Sequence, residues 1–252
     1  MNILVLMAGG SDAFKEAGYL YPKNLAEIDG QPLAQHVIES LAGLREMGAK
    51  LLCLVRQDEN SQYHTGEVLE LLAPNTTVLD VAEPTAGAAC TALLAVEYLN
   101  NDEPLLIMNG DQIITADLAA LISDFQKRNL DGGIVVFEAV HPRWSYVKCD
   151  ADGYVVETAE KRPISKLATA GLYYFARGKD FVRSAMDMIR KDAHVGGLFY
   201  VCPAYNELIL KQGKIGVGKI DRHAYFSLAN PQGVEAYEKH LLSGAGGGNH
   251  AR

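Results

Sequence analysis

Short, uninterrupted apolar runs alternate along the first half of the chain with segments whose apolar residues recur every three to four positions. Ile3-Leu4-Val5-Leu6-Met7 is apolar throughout, as expected of a strand buried on both faces. Residues 32–47 carry Val37, Ile38, Leu41 and Leu44 at helical spacing and stop at Gly48, a common helix terminator. Leu51–Val55 reads as a second buried strand and Gly66–Leu72 as part of a helix. Thr77–Val81 reads as a strand, 88–99 as an alanine-rich helix and Pro104–Met108 as another strand. Residues 115–128 place Leu118, Leu121, Ile122 and Phe125 on one helical face. Strands alternating with helices of this length predict an α/β fold with a mostly parallel sheet wrapped on both sides.

After Gly133 the rhythm changes. Ile134–Phe137, Tyr146–Cys149, Tyr154–Val156 and Gly171–Phe175 are strand-like with few helices between them, and Asp150-Ala151-Asp152-Gly153 is a hairpin-turn signal. Helices are expected near 178–191 and 199–212, a short strand near 215–220, and a last helix from Pro231 to Leu242. The polar, glycine-rich stretch 243–252 reads as a disordered tail. Repeats and internal linkers are absent from the pattern, so residues 1–242 are expected to form one domain.

Composition narrows the function classes. At 252 residues with 48% hydrophobic and 21% charged residues, the chain is unlike disordered, collagenous or coiled-coil sequences. Lys and Arg number 23 against 31 Asp and Glu, a net charge of −8. Such a chain is poorly suited to gripping nucleic acid or an anionic membrane through a broad basic face. Any anion it binds must sit in a focused pocket. The four cysteines are far apart with no C-x-x-C pair, which gives a zinc knuckle or a disulfide scaffold little support. A strand starting at Asn2, without a basic leader or an apolar run of about 20 residues, reads as a soluble, reduced, cytoplasmic protein.

Three places follow expected strands, where open α/β sheets hold ligands. Ala8-Gly9-Gly10 opens a loop to Lys23, and its small residues let backbone N–H groups approach a phosphate or a base; a plain tight turn would look the same. The loop fits neither G-x-G-x-x-G nor the P-loop pattern. Gly110-Asp111 ends a buried strand, where one carboxylate can hold Mg²⁺ together with phosphate oxygens; a helix cap is the competing role. Glu160-Lys161 follows the hairpin, where the lysine could reach a phosphate or simply face solvent.

In combination these segments resemble a family. Met7-Ala8-Gly9, Phe14-Lys15-Glu16-Ala17-Gly18-Tyr19 and Pro22-Lys23 are similar to the opening signature of sugar-phosphate nucleotidylyltransferases, closest to a capsule and surface-polysaccharide branch that includes cytidylyltransferases. Thr85-x-Gly87-Ala88-Ala89, Asn109-Gly110-Asp111, Ser145-Tyr146, Glu160-Lys161, Ser165, Ala170-Gly171-Leu172-Tyr173 and Tyr205-Asn206-Glu207 continue the match in order over roughly residues 1–240. The resemblance implies a Rossmann-like (GT-A-like) fold with a mixed sheet, and an attack by a substrate phosphate on the α-phosphorus of a nucleoside triphosphate, pyrophosphate leaving. Because the attacking phosphate is already anionic, such chemistry needs positioning and charge neutralisation rather than a general base. By position, Lys23 would stabilise the triphosphate, Asp111 would bind Mg²⁺ and Lys161 would hold the acceptor phosphate. Ala8, Gly9, Gly10, Lys15, Thr85 and Gly87 would line the nucleotide, and Tyr146, Glu160 and Gly171 the acceptor. The implied nucleotide is a pyrimidine (CTP, or UTP or dTTP), the implied role surface-polysaccharide or related nucleotide-sugar synthesis, and the implied assembly a homo-oligomer.

Two departures from the family pattern stand out. Asp12-Ala13 occupies the place of the family's Ser-Arg, so the arginine that grips the triphosphate is missing. Losing such a group should weaken the transition state by on the order of a few kcal/mol, and Lys15, two residues on, lacks the fork geometry. Ser227 stands where many relatives carry a second metal-binding Asp. Two rivals follow: a relative that binds a nucleotide or sugar phosphate without turnover, and a GT-A glycosyltransferase using Asp150-Ala151-Asp152 as a D-x-D site. A turn is the better reading of that triplet.

Overall fold

A computed structural model describes residues 1–244. Chain order runs β1 (Asn2–Met7), α1 (Asp12–Glu16), β2 (Glu27–Ile28), β3 (Gln31–Pro32), α2 (Leu33–Glu39), α3 (Ala42–Glu46), β4 (Lys50–Arg56), α4 (Gln57–Tyr63), α5 (Thr65–Leu72) and β5 (Thr77–Val81). It continues through α6 (Ala88–Leu93), α7 (Val96–Leu99), β6 (Leu105–Asn109), β7 (Gln112–Ile114), α8 (Leu118–Lys127), β8 (Gly132–Glu138), β9 (Ser145–Cys149), β10 (Val155–Glu160) and β11 (Leu167–Phe175). The last elements are α9 (Gly178–Arg190), α10 (Val201–Leu210), β12 (Ile215–Lys219), β13 (Tyr225–Ser227) and α11 (Pro231–Gly244).

The main sheet runs β5-β4-β1-β6-β11-β8-β12, with the β9-β10 hairpin pairing beside the start of β11. β5, β4, β1 and β6 are mutually parallel; β11 is antiparallel to both β6 and β8. The parallel half is what the alternation predicts, and the whole is the Rossmann-like mixed α/β sheet that the resemblance implies. Successive residues of β1 point to opposite faces: Ile3, Val5 and Met7 enter one apolar core and Leu4 the other. Burial on both sides is why the strand reads as one unbroken apolar run.

β1 has β4 on one side and β6 on the other, so the loops leaving β1 and β6 part and open a crevice at their carboxyl ends. Register sets the depth of that crevice. Met7 lies beside Val55 and Leu6 beside Asn109, so Ala8, Arg56 and Asp111 stand at one level at the carboxyl edge of the sheet.

Several elements differ from expectation. The helix expected over 32–47 is two, α2 and α3. Ser40 donates its hydroxyl to the Val37 carbonyl at 2.6 Å, and such back-bonding competes with helix propagation. The helix expected over 88–99 breaks at Leu94–Ala95 into α6 and α7. α4 and the small pairings β2-β3 and β7-β13 have no counterpart in the sequence pattern. α11 extends to Gly244, into the stretch read as a tail, and residues 245–252 of that stretch lie outside the described residues. No described helix is long and apolar enough to cross a membrane.

Candidate functional site

The loop after β1 is tied back to the sheet at both ends. Phe14 is fully buried and packs edge-on against Tyr19, with ring centroids 5.1 Å apart, and this anchors α1 to the core. The Asn24 amide donates to the Met7 carbonyl at 2.9 Å. Ser11 accepts from the Lys23 backbone N–H at 3.0 Å and donates to Glu59 Oε1 at 2.7 Å. These bonds bring Lys23 back under Gly9: a β-carbon at Gly9 would lie 3.0 Å from Lys23 Nζ.

Asp111 reaches the same point from β6. The Gly110 N–H donates to the Leu6 carbonyl at 2.8 Å, and a β-carbon at Gly110 would fall 2.4 Å from Met7 Cγ. Glycine is therefore required there for β6 to pass β1 closely enough. The product is an ion pair, Lys23 Nζ to Asp111 Oδ2 at 2.7 Å, with side chains 6% and 25% exposed.

A second loop faces them. Gly87 has φ +113°, and a β-carbon would sit 2.5 Å from the Phe199 carbonyl oxygen. That close approach lets Phe199 N–H donate to Ala86 O at 2.7 Å and Ala89 N–H donate to Phe199 O at 3.0 Å. Thr85 Oγ1 donates to the Gly87 carbonyl at 3.0 Å and lies 2.6 Å from the Thr91 hydroxyl.

The far end is built by β9, β10 and β11. Glu160 is buried and accepts a hydrogen bond from the Ser145 hydroxyl. Burial raises its carboxyl above the ordinary range, against the Ser145 hydrogen bond and the Lys161 charge, which pull it down. Lys161 has φ +54°, and its N–H donates to the Trp144 carbonyl at 3.0 Å. Its Nζ donates to the Tyr200 hydroxyl at 2.9 Å, and that bond holds the ammonium above its usual range. Gly171, at φ +65°, leaves room for Gln112, whose amide donates to the Gly171 carbonyl at 3.0 Å.

One cavity of about 700 Å³ joins these three parts, a volume suited to a ligand of nucleotide size. Ala8, Gly9, Gly10, Thr85, Gly87, Asp111, Glu160, Lys161 and Gly171 all line it. Lys23 meets it through Asp111. Two further expected residues do not line it. Lys15 lies on the exposed side of α1. Tyr146 is fully buried and gives its hydroxyl to the His141 carbonyl at 2.7 Å, while its neighbour Ser145 takes the cavity side. Arg56, Glu83, Asn109, Arg143, Tyr200 and Tyr225 line the cavity without having been expected. The signal for Arg56 lay in its place directly after a buried strand; Tyr200 and Tyr225 carried none.

Among the described residues no three His, Cys, Asp or Glu side chains converge as a metal cluster. Asp111 Oδ1 receives no hydrogen bond there, since Lys23 takes Oδ2. One free carboxylate oxygen beside a phosphate-sized space suits Mg²⁺, which takes one or two carboxylates and completes its shell with phosphate and water. Asp150 accepts from the N–H groups of Asp152 and Tyr154 at 3.0 and 2.9 Å. The Asp-Ala-Asp triplet is thus the exposed turn between β9 and β10, outside the cavity.

The family model described as Nucleotidyl transferase matches residues 5–194. The bifunctional protein GlmU of Herminiimonas arsenicoxydans is 34% identical over 116 residues, 46% of this chain and 23% of that protein. The GlmU of Methanocaldococcus jannaschii is 27% identical over 178 residues, 69% of this chain and 40% of that protein. The chain therefore spans well under two thirds of these relatives' length. The crystal structure of a nucleoside-diphosphate-sugar pyrophosphorylase from Vibrio cholerae RC9 superposes with a TM-score of 0.80 at 27% identity, covering 94% of this chain and 99% of that one. A Bacillus anthracis protein solved with sucrose shares the fold, with a TM-score of 0.73 at 16% identity over 100% of this chain and 98% of the other.

Proposed function

The chain belongs to the nucleotidyl transferase family, and from that premise we propose that it transfers a nucleoside monophosphate from a triphosphate to a phosphorylated sugar or similar small metabolite, releasing pyrophosphate. The observation that carries this reading is the Lys23–Asp111 pair at the mouth of β1 and β6, in one cavity with Lys161 and Glu160 at the other end. A triphosphate laid along Ala8–Gly10 would place its phosphates over Lys23. An acceptor phosphate held by Lys161 would then approach from the opposite side. Lys23 supplies positive charge where the leaving pyrophosphate develops negative charge. Lys161, oriented by Tyr200, holds the nucleophile in line, and Glu160 with Ser145 offers hydrogen bonds to acceptor hydroxyls.

Asp111 would hold Mg²⁺ through its free oxygen, and the ion would neutralise phosphate charge there. The preference for a pyrimidine base and a role in surface-polysaccharide synthesis rest on the resemblance of the opening loop, and assembly into a homo-oligomer rests on the wider family resemblance.

Pyrophosphate release measured with CTP, UTP, dTTP, GTP and ATP, Mg²⁺ and a panel of phosphorylated sugars and polyols tests the reading. Turnover with one triphosphate, abolished by Lys23→Ala and by Asp111→Ala, is expected. Turnover that survived both substitutions would refute it. Nucleotide binding without turnover across the panel would favour a binding relative, the alternative that Ala13 motivates.

A further inference from the structure

The segment where the family's triphosphate-gripping arginine would stand holds Ala13, an exposed residue on α1. The cavity nevertheless takes a guanidinium from another element, level with Ala8 at the edge of the sheet. We infer that Arg56, at the end of β4, is the arginine that binds the triphosphate in this protein. The inference rests on the nucleotidyl transfer proposed above.

Placement is the first argument. Val55 lies beside Met7 in the parallel β1–β4 register, so Arg56, the last residue of β4, stands level with Ala8, the first residue of the loop after β1. Arg56 lines the same cavity as Gly9, Gly10 and Asp111.

Orientation is the second. Arg56 Nε donates to Asp58 Oδ1 at 2.9 Å, and Nη2 donates to Asp58 Oδ2 at 2.5 Å. This fork-to-fork pairing fixes the plane of the guanidinium. Nη1 has no protein hydrogen-bond partner among the described residues. The side chain is 31% exposed, so the unused edge is reachable by a ligand.

Coupling is the third. Glu59 Oε1 lies 3.8 Å from Arg56 Nε and also accepts from the Ser11 hydroxyl, and Ser11 in turn accepts from the Lys23 N–H. Glu59 is buried, and its second oxygen has no partner. A carboxylate kept in that state ties the phosphate loop, Lys23 and Arg56 into one unit. Movement of any of them would disturb the other two.

The acids around Arg56 also say what kind of contribution to expect. Asp12, Asp58 and Glu59 all act on its charge, so Arg56 adds little net positive potential. Its contribution is the directional hydrogen bonds of Nη1 to phosphate oxygens. A lysine, with one point charge and no fixed plane, would replace it poorly.

The test compares affinity for CTP, UTP, dTTP, GTP and ATP, and for the matching monophosphates, by calorimetry with Mg²⁺. The proteins are the wild type, Arg56→Ala, Arg56→Lys, and Arg56→Ala combined with Ala13→Arg. Arg56→Ala is expected to weaken binding of the preferred triphosphate at least tenfold and of its monophosphate less than twofold. Arg56→Lys should fall between, with circular dichroism confirming its fold if the alanine variant proves unstable. Adding Ala13→Arg should recover most of the lost triphosphate affinity. An unchanged triphosphate affinity in Arg56→Ala, or in a folded Arg56→Lys where the alanine variant fails, would overturn the inference and leave the proposed reaction standing. Equal losses on mono- and triphosphate would also overturn it, as they would mark Arg56 as a brace for the loop. A wild type that binds no triphosphate would remove both the reaction and the inference.

Discussion

Asp111→Asn keeps the shape of its side chain and removes the charge opposite Lys23. The charged atoms lie 2.7 Å apart, so at an effective dielectric of about 20 their attraction is about 6 kcal/mol. Desolvation of the ions offsets much of it, and the offset is unequal: the lysine side chain is 6% exposed and the aspartate 25%. Removing one partner of a fully buried pair costs about 3–5 kcal/mol. Water at the aspartate side lowers the expected loss to about 2–3 kcal/mol. Lys23→Met strands a carboxylate that already meets water, for about 1 kcal/mol. For a chain of this size those losses correspond to falls in Tm of about 4–12 °C and about 2–4 °C. Thermal unfolding followed by circular dichroism, without ligands, reads both. The double variant should be more stable than Asp111→Asn alone, because it leaves no buried lysine without a partner. Refutation would come from Lys23→Met costing as much as Asp111→Asn, or from a double variant less stable than either single one.

Two further outcomes follow from the far end of the cavity. Tyr146→Phe removes a hydroxyl bonded to the His141 carbonyl and facing away from the cavity, so it should cost about 1 kcal/mol in urea unfolding and leave the KM for acceptor unchanged; a raised acceptor KM would place the phenol in the site after all. Glu160→Gln tests the raised carboxyl. The folded protein binds that proton more tightly than the unfolded chain does, so the wild type's stability falls as pH rises from the ordinary glutamate value through the raised one. Relative to Glu160→Gln, the wild type should lose ground as pH rises above the ordinary glutamate value. A difference that is flat, or that moves in the wild type's favour, would contradict burial as the dominant cause.

What the sequence revealed and what it hid have distinct physical causes. β1, β4 and β6 were legible because strands buried on both faces need continuous apolar runs. Their order was not, since β11 carries the same kind of signature yet enters antiparallel between β6 and β8. Pairing between residues so distant in the chain leaves no local trace. In the candidate site, Gly9, Gly110 and Asp111 were legible because they closely follow strand ends, and Lys23 through the Pro22-Lys23 pair in the loop that leaves β1. Tyr146 failed by one residue: along β9 alternate side chains change face, so Ser145 meets the cavity and Tyr146 the core. Lys15 failed for a helical reason, because Phe14 turns into the core and its successor on α1 points elsewhere.

The distribution of charge accounts for how a chain of net charge −8 could take so anionic a substrate. Lys23, Arg56, Arg143 and Lys161 sit in or beside the cavity, against Asp58, Glu83, Asp111 and Glu160. With buried Glu59 beside Arg56 as well, these cations carry no positive surplus over the carboxylates they face. Long-range steering is therefore weak, and triphosphate affinity has to come from short, directional contacts in the crevice. Under the proposed reaction those contacts would be spread over three strand ends: Lys23 returned to β1 by its loop, Arg56 from β4 and Asp111 from β6. A cavity without positive surplus also cannot cancel the charge of a bare triphosphate. Under the proposed reaction the missing positive charge arrives with the substrate, as it does in a magnesium–nucleotide complex, and Asp111 keeps one oxygen free to meet it.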